Sequence, residues 1–306
     1  MPESISQNVW TRLACSFCGN ALVQSATGAS CPVCGLQYRR TGAAALDLRL
    51  NKAKTYELQF ELGTPFNVPP GLRIAPLALN PRAQVDFSGL RGSHRMTPEK
   101  MSYFPKASSR GALMLDLACG SGIHKPICEH AGFEWVGIDY AESSKATILA
   151  DVHALPFKDA SFDCILTVAA IQLFRYPLVA MREVCRVLKP GGTFLGTVAF
   201  LEPFHDDGYY HYTHLGVINS LQYGGFKVEQ LAPSEDWTGL TAQAAMALFP
   251  RMPRFMSRSI VYPVQLLHRA WWYMGSLVAH TPNAGDDVRI RNSTAAFAFV
   301  ASKPAA

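Results

Sequence analysis

The chain has little of what marks several large protein classes. Residues 1–10 are polar and contain no apolar core of a secretory signal. The uncharged stretch 208–226 carries His, Gln, Asn and Gly, so it is not a membrane span. There is no internal repeat and no low-complexity run. The excess of 28 Lys and Arg over 23 Asp and Glu is mild and scattered, which permits an anionic partner without demanding nucleic acid. We therefore expect a cytoplasmic protein.

Two phosphate-binding motifs are also absent. Residues 115–122, Leu-Asp-Leu-Ala-Cys-Gly-Ser-Gly, form an apolar run, an acidic residue and a small-residue turn. This order is typical of a buried strand that leads into a loop lying close to a ligand. A dinucleotide site would need a third glycine where the chain has Lys125, and no G-x-x-x-x-G-K-[ST] motif is present. The expected ligand therefore carries no pyrophosphate.

Three carboxylates follow three consecutive apolar runs. Asp116 precedes the glycine turn, Asp139 ends Trp-Val-Gly-Ile-Asp, and Asp151 ends Ile-Leu-Ala-Asp. The carboxyl ends of parallel strands meet at one edge of a sheet. The pattern therefore indicates a nucleoside-type site at the edge of an α/β sheet.

An ordered set of motifs carries a family resemblance. Residues 115–122 are followed by residues 151–157, 161–166 and 182–195, the last reading Arg-Glu-Val-Cys-Arg-Val-Leu-Lys-Pro-Gly-Gly-Thr-Phe-Leu. The set strongly resembles the class I S-adenosylmethionine-dependent methyltransferases, in the branch of the ubiquinone and menaquinone C-methyltransferases, over about residues 111–232. The resemblance implies an α/β, Rossmann-like sheet that is mostly parallel with an antiparallel last strand. It also implies methyl transfer from S-adenosylmethionine.

The resemblance also implies the cofactor-binding residues. Asp116 and the backbone of residues 118–122 would hold the methionine portion, and Asp139 would accept from both ribose hydroxyls. Asp151 would accept from the adenine amino group, with the amide of Val152 at the ring edge. Taken singly, Asp116 could instead cap a helix, and the other two carboxylates could simply be solvated. The residues implied in this way are Asp116, Ala118, Gly120, Gly122, Asp139, Tyr140, Asp151 and Val152.

Two departures from the family pattern carry structural expectations. Ala118 stands where the family usually has glycine, and we expect it to be tolerated with a negative φ. Only eleven residues separate Asp139 from Asp151, which is near the lower limit for a parallel crossover. A helix over residues 140–146 should therefore be little more than a turn, which affects how Tyr140 meets the adenine.

Four cysteines have the spacing of a zinc ribbon. Two C-x-x-C knuckles lie twelve residues apart, and each is followed by glycine. Four thiolates can meet tetrahedrally when two such turns face each other. Two disulfides or a redox pair are the alternatives. The expected cytoplasmic location disfavours disulfides, and the presence of two matched knuckles disfavours a redox pair. The expected ligands are Cys15, Cys18, Cys31 and Cys34, while Cys119, Cys128, Cys164 and Cys185 read as small core residues.

The chain divides into three regions. Residues 1–50 form the ribbon, and residues 51–110 form a Pro- and Gly-rich connector without long helices that could cover an acceptor site. Residues 111–306 form the methyltransferase domain, with a helical insertion over 235–292 before the last strand. Strands are expected near 112–117, 134–139, 147–150, 162–168, 193–200, 226–232 and 294–302.

The insertion is rich in Trp, Phe, Tyr and Met. Pro250, Pro253 and Pro263 should break it into short pieces. It could be an ordinary helical insertion with its aromatics in the core, a cap that walls an apolar acceptor pocket, or an amphipathic surface for lipid.

Methyl transfer requires mainly an aligned acceptor and exclusion of water, so no universal catalytic residue is expected. The segment after the fifth strand of the methyltransferase domain, residues 205–214, offers histidines and tyrosines suited to proton transfer near neutral pH. Polar capping of a helix N-terminus is the alternative, and a second metal site lacks a matching ligand pattern. The candidate catalytic residues are His205, Tyr209, His211 and His214, together with Gln172 after the fourth strand of that domain.

The leading hypothesis is methylation of a small, partly apolar molecule of a secondary-metabolite or lipid pathway. An rRNA or tRNA base methyltransferase is the first alternative. The rRNA guanine enzymes also join a zinc ribbon to this fold, although their fourth ligand is typically histidine where this chain has Cys34. A sulfonium-dependent cyclisation is a further alternative. The three intact carboxylates argue against a non-catalytic scaffold. Peripheral membrane contact and the oligomeric state stay open.

Overall fold

The structure, a computed structural model, describes residues 5–42, 45–63, 68–90, 92–93, 95–203, 208–279 and 285–305. Its strands are β1 Val23–Ser25, β2 Gly28–Ser30, β3 Gln37–Arg39, β4 Leu46–Asp47, β5 Leu113–Leu117, β6 Glu134–Asp139, β7 Ile148–Leu149, β8 Phe162–Val168, β9 Leu188–Ala199, β10 Lys227–Pro233 and β11 Ala296–Ser302. Its helices are α1 Gln7–Trp10, α2 Pro98–Met101, α3 Lys125–His130, α4 Pro177–Val187, α5 His214–Gly224, α6 Gly239–Ala242, α7 Arg254–Ala279 and α8 Asp286–Ser293.

The described residues form an eight-stranded sheet in the order β10-β11-β9-β8-β5-β6-β7-β4. The strands from β9 to β4 run parallel, while β11 pairs antiparallel with both β9 and β10. Every residue of β5 is buried, as expected for a central parallel strand covered on both faces. The expected Rossmann-like α/β sheet with an antiparallel last strand is confirmed.

The strand bounds agree with the sequence to within one or two residues, except for β9. That strand begins at Leu188, five residues before the expected start at 193, and so includes the Lys-Pro-Gly-Gly segment. No helix forms between β6 and β7; residues 140–147 are turns and bends, in line with the short crossover. The connector contains one helix among its described residues, the four-residue α2.

One strand of the main sheet was not predicted. Leu46–Asp47, at the end of the ribbon region, pairs in parallel with Ile148–Leu149 as an edge strand. Two residues are too short for any periodicity to be visible in the sequence. The expected boundary near residue 50 therefore falls just after a strand that already belongs to the main sheet.

The N-terminal module is a small antiparallel sheet, β1-β2-β3, that shares the main hydrophobic core. Cys31 and Tyr38 of the module belong to the same buried cluster as Ile148 and Phe157 of the main domain. Backbone bonds join the two parts, from the Ala14 amide to the Pro156 carbonyl (2.9 Å) and from the Lys158 amide to the Arg12 carbonyl (2.8 Å). Module and sheet are thus one packed body.

The insertion contains α6, one π-helical turn (Gln243–Leu248), α7 and α8. The expectation that Pro263 breaks it was wrong, because this proline lies inside the 26-residue helix α7. The alternative that places the insertion's aromatics in the core does not hold for Trp271 and Phe255 of this helix, which are each 71% exposed. No helix among the described residues is long and apolar enough to cross a membrane.

Candidate functional site

The turn after β5 has a left-handed backbone at three positions. The φ angles are +58° at Ala118, +53° at Gly120 and +70° at Gly122. The expectation of a negative φ at Ala118 was therefore wrong. The Cys119 amide donates to the Ile138 carbonyl (3.0 Å), which holds the turn against β6 and imposes the conformation. A non-glycine residue in this region costs about 1–2 kcal/mol, so the site stores backbone strain.

Asp139 ties two loops together at the end of β6. Its Oδ2 accepts from the Gly120 amide (2.8 Å) and its Oδ1 accepts from the Ala141 amide (2.9 Å). A carboxylate has about four acceptor positions, so it can accept further hydrogen bonds. A Cβ placed on Gly120 would meet no atom within 4 Å, so the turn presents its backbone to open space. This arrangement fits a ligand with hydroxyl donors beside the turn.

Asp116 lies beneath the turn rather than facing solvent. The residue is 1% exposed, and its carboxylate Oδ2 accepts from the indole Nε1 of Trp135 (3.0 Å). Burial raises the pKa of Asp116 to about 7, and the negative charge of Asp139 adds to the rise. Trp135 was missed from the sequence, where it reads as one more apolar residue of β6.

Asp151 caps the short helical turn that follows β7. Its Oδ1 accepts from the His153 amide (2.9 Å) and pairs with the imidazole Nδ1 (2.6 Å). The imidazole Nε2 accepts from the Tyr176 amide (3.1 Å), so Nδ1 carries the proton. Burial raises the pKa of Asp151, but the hydrogen bonds from His153 outweigh it and hold the pKa below its usual value. His153 was also missed, although a donor two residues after Asp is a recognisable Asx pattern.

The three carboxylates thus lie at the carboxyl ends of adjacent strands β5, β6 and β7. Of the other implied cofactor residues, Val152 lies in the turn that Asp151 caps, and Tyr140 is exposed. The Arg49 guanidinium lies 5.4 Å from the Tyr140 ring centroid and donates to the Tyr140 carbonyl (3.1 Å).

The candidate catalytic residues have different surroundings. His205 lies outside the described residues. Tyr209 is exposed and its amide donates to the Gln172 carbonyl (2.8 Å). His211 is exposed and its Nδ1 donates to the Phe200 carbonyl (2.6 Å), which leaves Nε2 as the acceptor nitrogen. Burial lowers the pKa of His214, the first residue of α5.

Gln172 does not face a cavity, contrary to the expectation. Its side chain is buried, with Nε2 donating to the Ala169 carbonyl (2.7 Å) and Oε1 accepting from the Ala199 amide (3.4 Å). Because both ends of the amide bind backbone, this residue joins the loop after β8 to the end of β9. The helix-cap alternative holds for Thr213, whose hydroxyl accepts from the Gly216 amide (3.2 Å).

A cavity of about 700 Å³ opens at the carboxyl edge of the sheet. It extends from Asp151 and His153, past the loop after β8, to Tyr210 in the loop after β9. Its apolar wall includes Tyr56 from the connector and Leu178 from α4. No described residue of the insertion lines it, so the insertion does not cap this cavity.

The four knuckle cysteines converge on one point. All four sulfur atoms lie within 4.8 Å of one another, with 3.6 Å between Cys15 and Cys34 and 3.4 Å between Cys18 and Cys31. These separations exceed the roughly 2 Å of a disulfide and approach the ~3.8 Å expected between ligands of a tetrahedral site with 2.3 Å bonds. The cluster can therefore hold a thiophilic metal ion.

The two knuckles repeat one backbone design. The Gly19 amide donates to the Cys15 carbonyl (2.8 Å), and the Gly35 amide donates to the Cys31 carbonyl (2.9 Å). Both glycines have a φ of +75°, which explains why glycine follows each knuckle. Outside the four ligand positions, the Tyr38 hydroxyl lies 3.0 Å from the Cys15 sulfur, a partner the sequence did not reveal.

Three of the four remaining cysteines behave as core residues, whereas Cys185 is only half-buried. Cys119, Cys128 and Cys164 are buried, and burial raises the pKa of each thiol. They are therefore protonated and poor nucleophiles, as expected from the sequence.

Comparisons with known proteins agree with this geometry. A family described as a methyltransferase domain matches residues 115–196. An uncharacterized chloroplastic methyltransferase of Arabidopsis thaliana is 32% identical over 132 residues, covering 36% of this chain and 36% of the relative. A malonyl-(acyl-carrier protein) O-methyltransferase of Erwinia billingiae is 27% identical over 135 residues, covering 41% of this chain and 53% of the relative.

A ubiquinone/menaquinone biosynthesis C-methyltransferase of Chromobacterium violaceum is 35% identical over 79 residues, covering 24% of this chain and 31% of the relative. The matches therefore span between about a third and about half of these relatives' own lengths. The chain contains a methyltransferase domain, and the resemblance inferred from its motifs is confirmed.

The burial of Asp116 predicts a pH-dependent stability. The folded pKa of about 7 lies above the usual value of 3.8, so the folded protein holds an extra proton between these values. The contribution of protonated Asp116 to the free energy of unfolding is complete below about pH 4 and is lost as the pH rises through 7. The asparagine of Asp116→Asn cannot ionise. Between pH 4 and 7, the free energy of unfolding of this variant relative to the wild type should therefore increase by up to about 1.4 kcal/mol per pH unit. Urea unfolding at several pH values, with Asp159→Asn as an exposed control, measures the difference; a pH-independent difference contradicts the prediction.

Proposed function

We propose that the chain is an S-adenosylmethionine-dependent methyltransferase that acts on a small, partly apolar molecule. The observation that carries this proposal is the strand-end arrangement of Asp116, Asp139 and Asp151 around a turn whose backbone faces open space. The methyltransferase domain over residues 115–196 supports it. When bound, S-adenosylmethionine supplies an electrophilic methyl group on its sulfonium.

The chain's own residues would position the cofactor. Asp139 has acceptor capacity left for ribose hydroxyls, and its existing bonds keep it from rotating. Asp151 keeps Oδ2 for an amino donor, because His153 occupies only Oδ1. Asp116 acts from beneath: its ionisation would favour a cationic ligand above the turn, since opposite charges lower each other's free energy.

The acceptor would enter the cavity between Asp151 and Tyr210. Its wall is mostly apolar, with Tyr56 and Leu178 among the lining residues, and it borders the loops after β8 and β9. A mostly apolar cavity with a few polar groups is typical of small-molecule sites. The malonyl and quinone-pathway names of two relatives agree with an acceptor of this type.

Where the acceptor carries a proton, His211 is the best-placed candidate base of the loop after β9. Its Nδ1 donates to the Phe200 carbonyl, so its Nε2 is the nitrogen that can accept. Tyr209 directly precedes the cavity-lining Tyr210, so it lies in the same loop at the edge of the cavity.

The thiolate cluster is proposed to bind zinc. Four converging cysteine sulfurs suit Zn²⁺ in a closed structural site, since the tetrahedron has no open position for a substrate. The metal would stabilise the module that holds residues 156–158.

The cofactor assignment predicts that Asp139→Asn weakens binding of S-adenosylhomocysteine. The amide keeps one acceptor oxygen but loses the charge and the second acceptor, which should cost about 2 kcal/mol, or roughly 30-fold. Calorimetric titration measures this, with Asp159→Asn as the exposed control. Wild-type affinity in a folded Asp139→Asn protein would refute the assignment.

The acceptor assignment predicts that Leu178→Gln lowers methyl transfer at least tenfold while leaving S-adenosylhomocysteine affinity within about twofold, because it changes only the cavity wall. Transfer of labelled methyl groups to apolar phenols and hydroquinones is the readout. Leu79→Gln, an exposed leucine outside the cavity, is the matched control.

The alternative function, methylation of an rRNA or tRNA base, is tested by measuring RNA binding and methylation at several salt concentrations. Phosphate contacts make RNA binding fall steeply with salt, whereas an apolar acceptor is insensitive to it. Methylation of RNA with a steep salt dependence, unaffected by Leu178→Gln, would replace the small-molecule proposal.

The zinc assignment predicts one zinc per chain in elemental analysis. Cys31→Ser should lose the metal, lower the free energy of unfolding by several kcal/mol and weaken S-adenosylhomocysteine binding through residues 151–158. Cys185→Ser, outside the cluster, should keep full zinc. Wild-type protein without zinc and with four free thiols at these positions would end the assignment.

A further inference from the structure

The insertion contains a polar cleft between α6, α7 and α8. Its volume is about 250 Å³, and its described lining residues do not overlap with those of the cavity between Asp151 and Tyr210. Helix α7 lines it with Arg258, Gln265 and Arg269, which lie within about 40° of one another on one face of the helix. We call this space the insertion cleft. The function proposed above uses none of its residues.

The buried charge of the insertion cleft is Arg289 of α8. Its side chain is 9% exposed, and its Nε donates to Asp286 Oδ1 (2.9 Å). Within the described part of the chain, no group accepts a hydrogen bond from its two Nη atoms. Donors of a buried charged group are costly when they have no acceptor. The Nη atoms of Arg289 therefore favour a bound acceptor in the cleft.

Arg269 brings a second guanidinium to the same end of the cleft. The hydrogen bond from Arg289 lowers the pKa of Asp286, and the charge of Arg269 adds to the shift, so the three groups lie close together. Arg269 makes no hydrogen bond or ion pair with any residue that the structure describes. Two guanidiniums thus share one carboxylate, whose side chain is 77% exposed. One positive charge is left without a partner.

The hydroxyl of Thr241 adds an uncharged donor. Gln265 Nε2 donates to Thr238 Oγ1 (2.9 Å) and to Thr241 Oγ1 (3.0 Å), and the Thr241 amide also donates to Thr238 Oγ1 (3.2 Å). Both acceptor positions of Thr238 are then filled, so its proton goes to Thr241 Oγ1 (3.0 Å). Thr241 accepts twice in this arrangement, and its own proton has no acceptor among the described residues. Because Thr241 is 2% exposed and lines the cleft, this proton is available to a ligand there.

Two acidic residues, Glu235 and Asp236, also line the insertion cleft. Together with Arg258 they line a neighbouring cavity of about 440 Å³, so these three residues form the boundary between the two spaces. Arg258 lies eleven residues before Arg269, which is about 16 Å along the helix axis. Both acidic residues are exposed, and neither forms an ion pair with an arginine of the cleft in the described ranges. They therefore do not replace an anion at the Arg269 end.

We propose that the insertion cleft binds the phosphate group of a small phosphate monoester between Arg269 and Arg289. The two guanidiniums donate to the phosphate oxygens, as arginine forks commonly do, and Thr241 donates from the wall. A phosphate monoester offers three terminal oxygens and up to two negative charges, so it accepts from two forks more completely than a carboxylate does. The bound group would also join α7 to α8.

Calorimetric titration of the full-length protein with glycerol 3-phosphate, in a buffer without phosphate, tests this proposal. The wild type should bind one equivalent with a Kd of about 1 mM or lower. Arg269→Gln should weaken binding about tenfold or more, because a charge-assisted donor pair is lost from an exposed side chain that the fold does not need. Arg289→Gln should weaken it at least as much.

The matched control is Arg110→Gln, which changes an exposed arginine outside the insertion. It should bind glycerol 3-phosphate as the wild type does. Circular dichroism and S-adenosylhomocysteine titration check that every variant is folded. Glycerol 3-phosphate should leave the S-adenosylhomocysteine affinity of the wild type unchanged, since the two sites share no described residue.

Any of four outcomes would overturn the proposal: no saturable binding up to about 20 mM, unchanged affinity in Arg269→Gln, an equal loss in Arg110→Gln, or succinate binding as tight as that of glycerol 3-phosphate. Competition between glycerol 3-phosphate and S-adenosylhomocysteine that persists in Arg269→Gln would place the anion in the cofactor site instead.

Discussion

The hydrogen bond from the Gly120 amide to the Asp139 carboxylate is the contact on which the candidate site depends. It joins the turn after β5 to the end of β6, and the second oxygen of Asp139 orders the next loop through Ala141. The turn reaches this position only because Ala118 and Gly120 adopt a positive φ. The neighbouring Asp116 is excluded from water, so two carboxylates one strand apart have opposite environments. Asp139 can contact a ligand directly, while the buried Asp116 can act on a ligand only through its charge.

The segment that follows Asp151 at this edge of the sheet is bound by two other parts of the chain, the ribbon and α4. The ribbon donates and accepts backbone bonds at residues 156–158. Glu183 of α4 accepts from the Leu155 amide (2.9 Å), and Arg186 donates to the carbonyls of Leu155 (3.0 Å) and Phe157 (2.6 Å). The segment after Asp151 has no regular structure of its own beyond one short turn. Its position therefore depends on partners distant in sequence, which makes the ribbon part of the site's scaffold.

The sequence predicted those parts of the molecule that follow local rules. Apolar runs marked most strands of the main sheet, and small residues after Leu117 marked the turn. The knuckle spacing marked the four thiols. Features that depend on distant partners could not be predicted. The two-residue β4 exists only because β7 lies beside it. Gln172 looked like a site residue until the carbonyl and amide that it binds were known. The orientation of α7 was invisible, because its periodicity shows an apolar face but not which way that face points.

The junction between ribbon and sheet imposes an order on folding. Leu13 and Tyr38 are buried together with Phe157, more than a hundred residues further along the chain. A chain synthesised from its N-terminus presents the ribbon long before the surface that covers it exists. Contacts between such distant segments form slowly, since the closure of a long loop costs entropy before any contact compensates it. The module that is made first is therefore among the last to reach its final place.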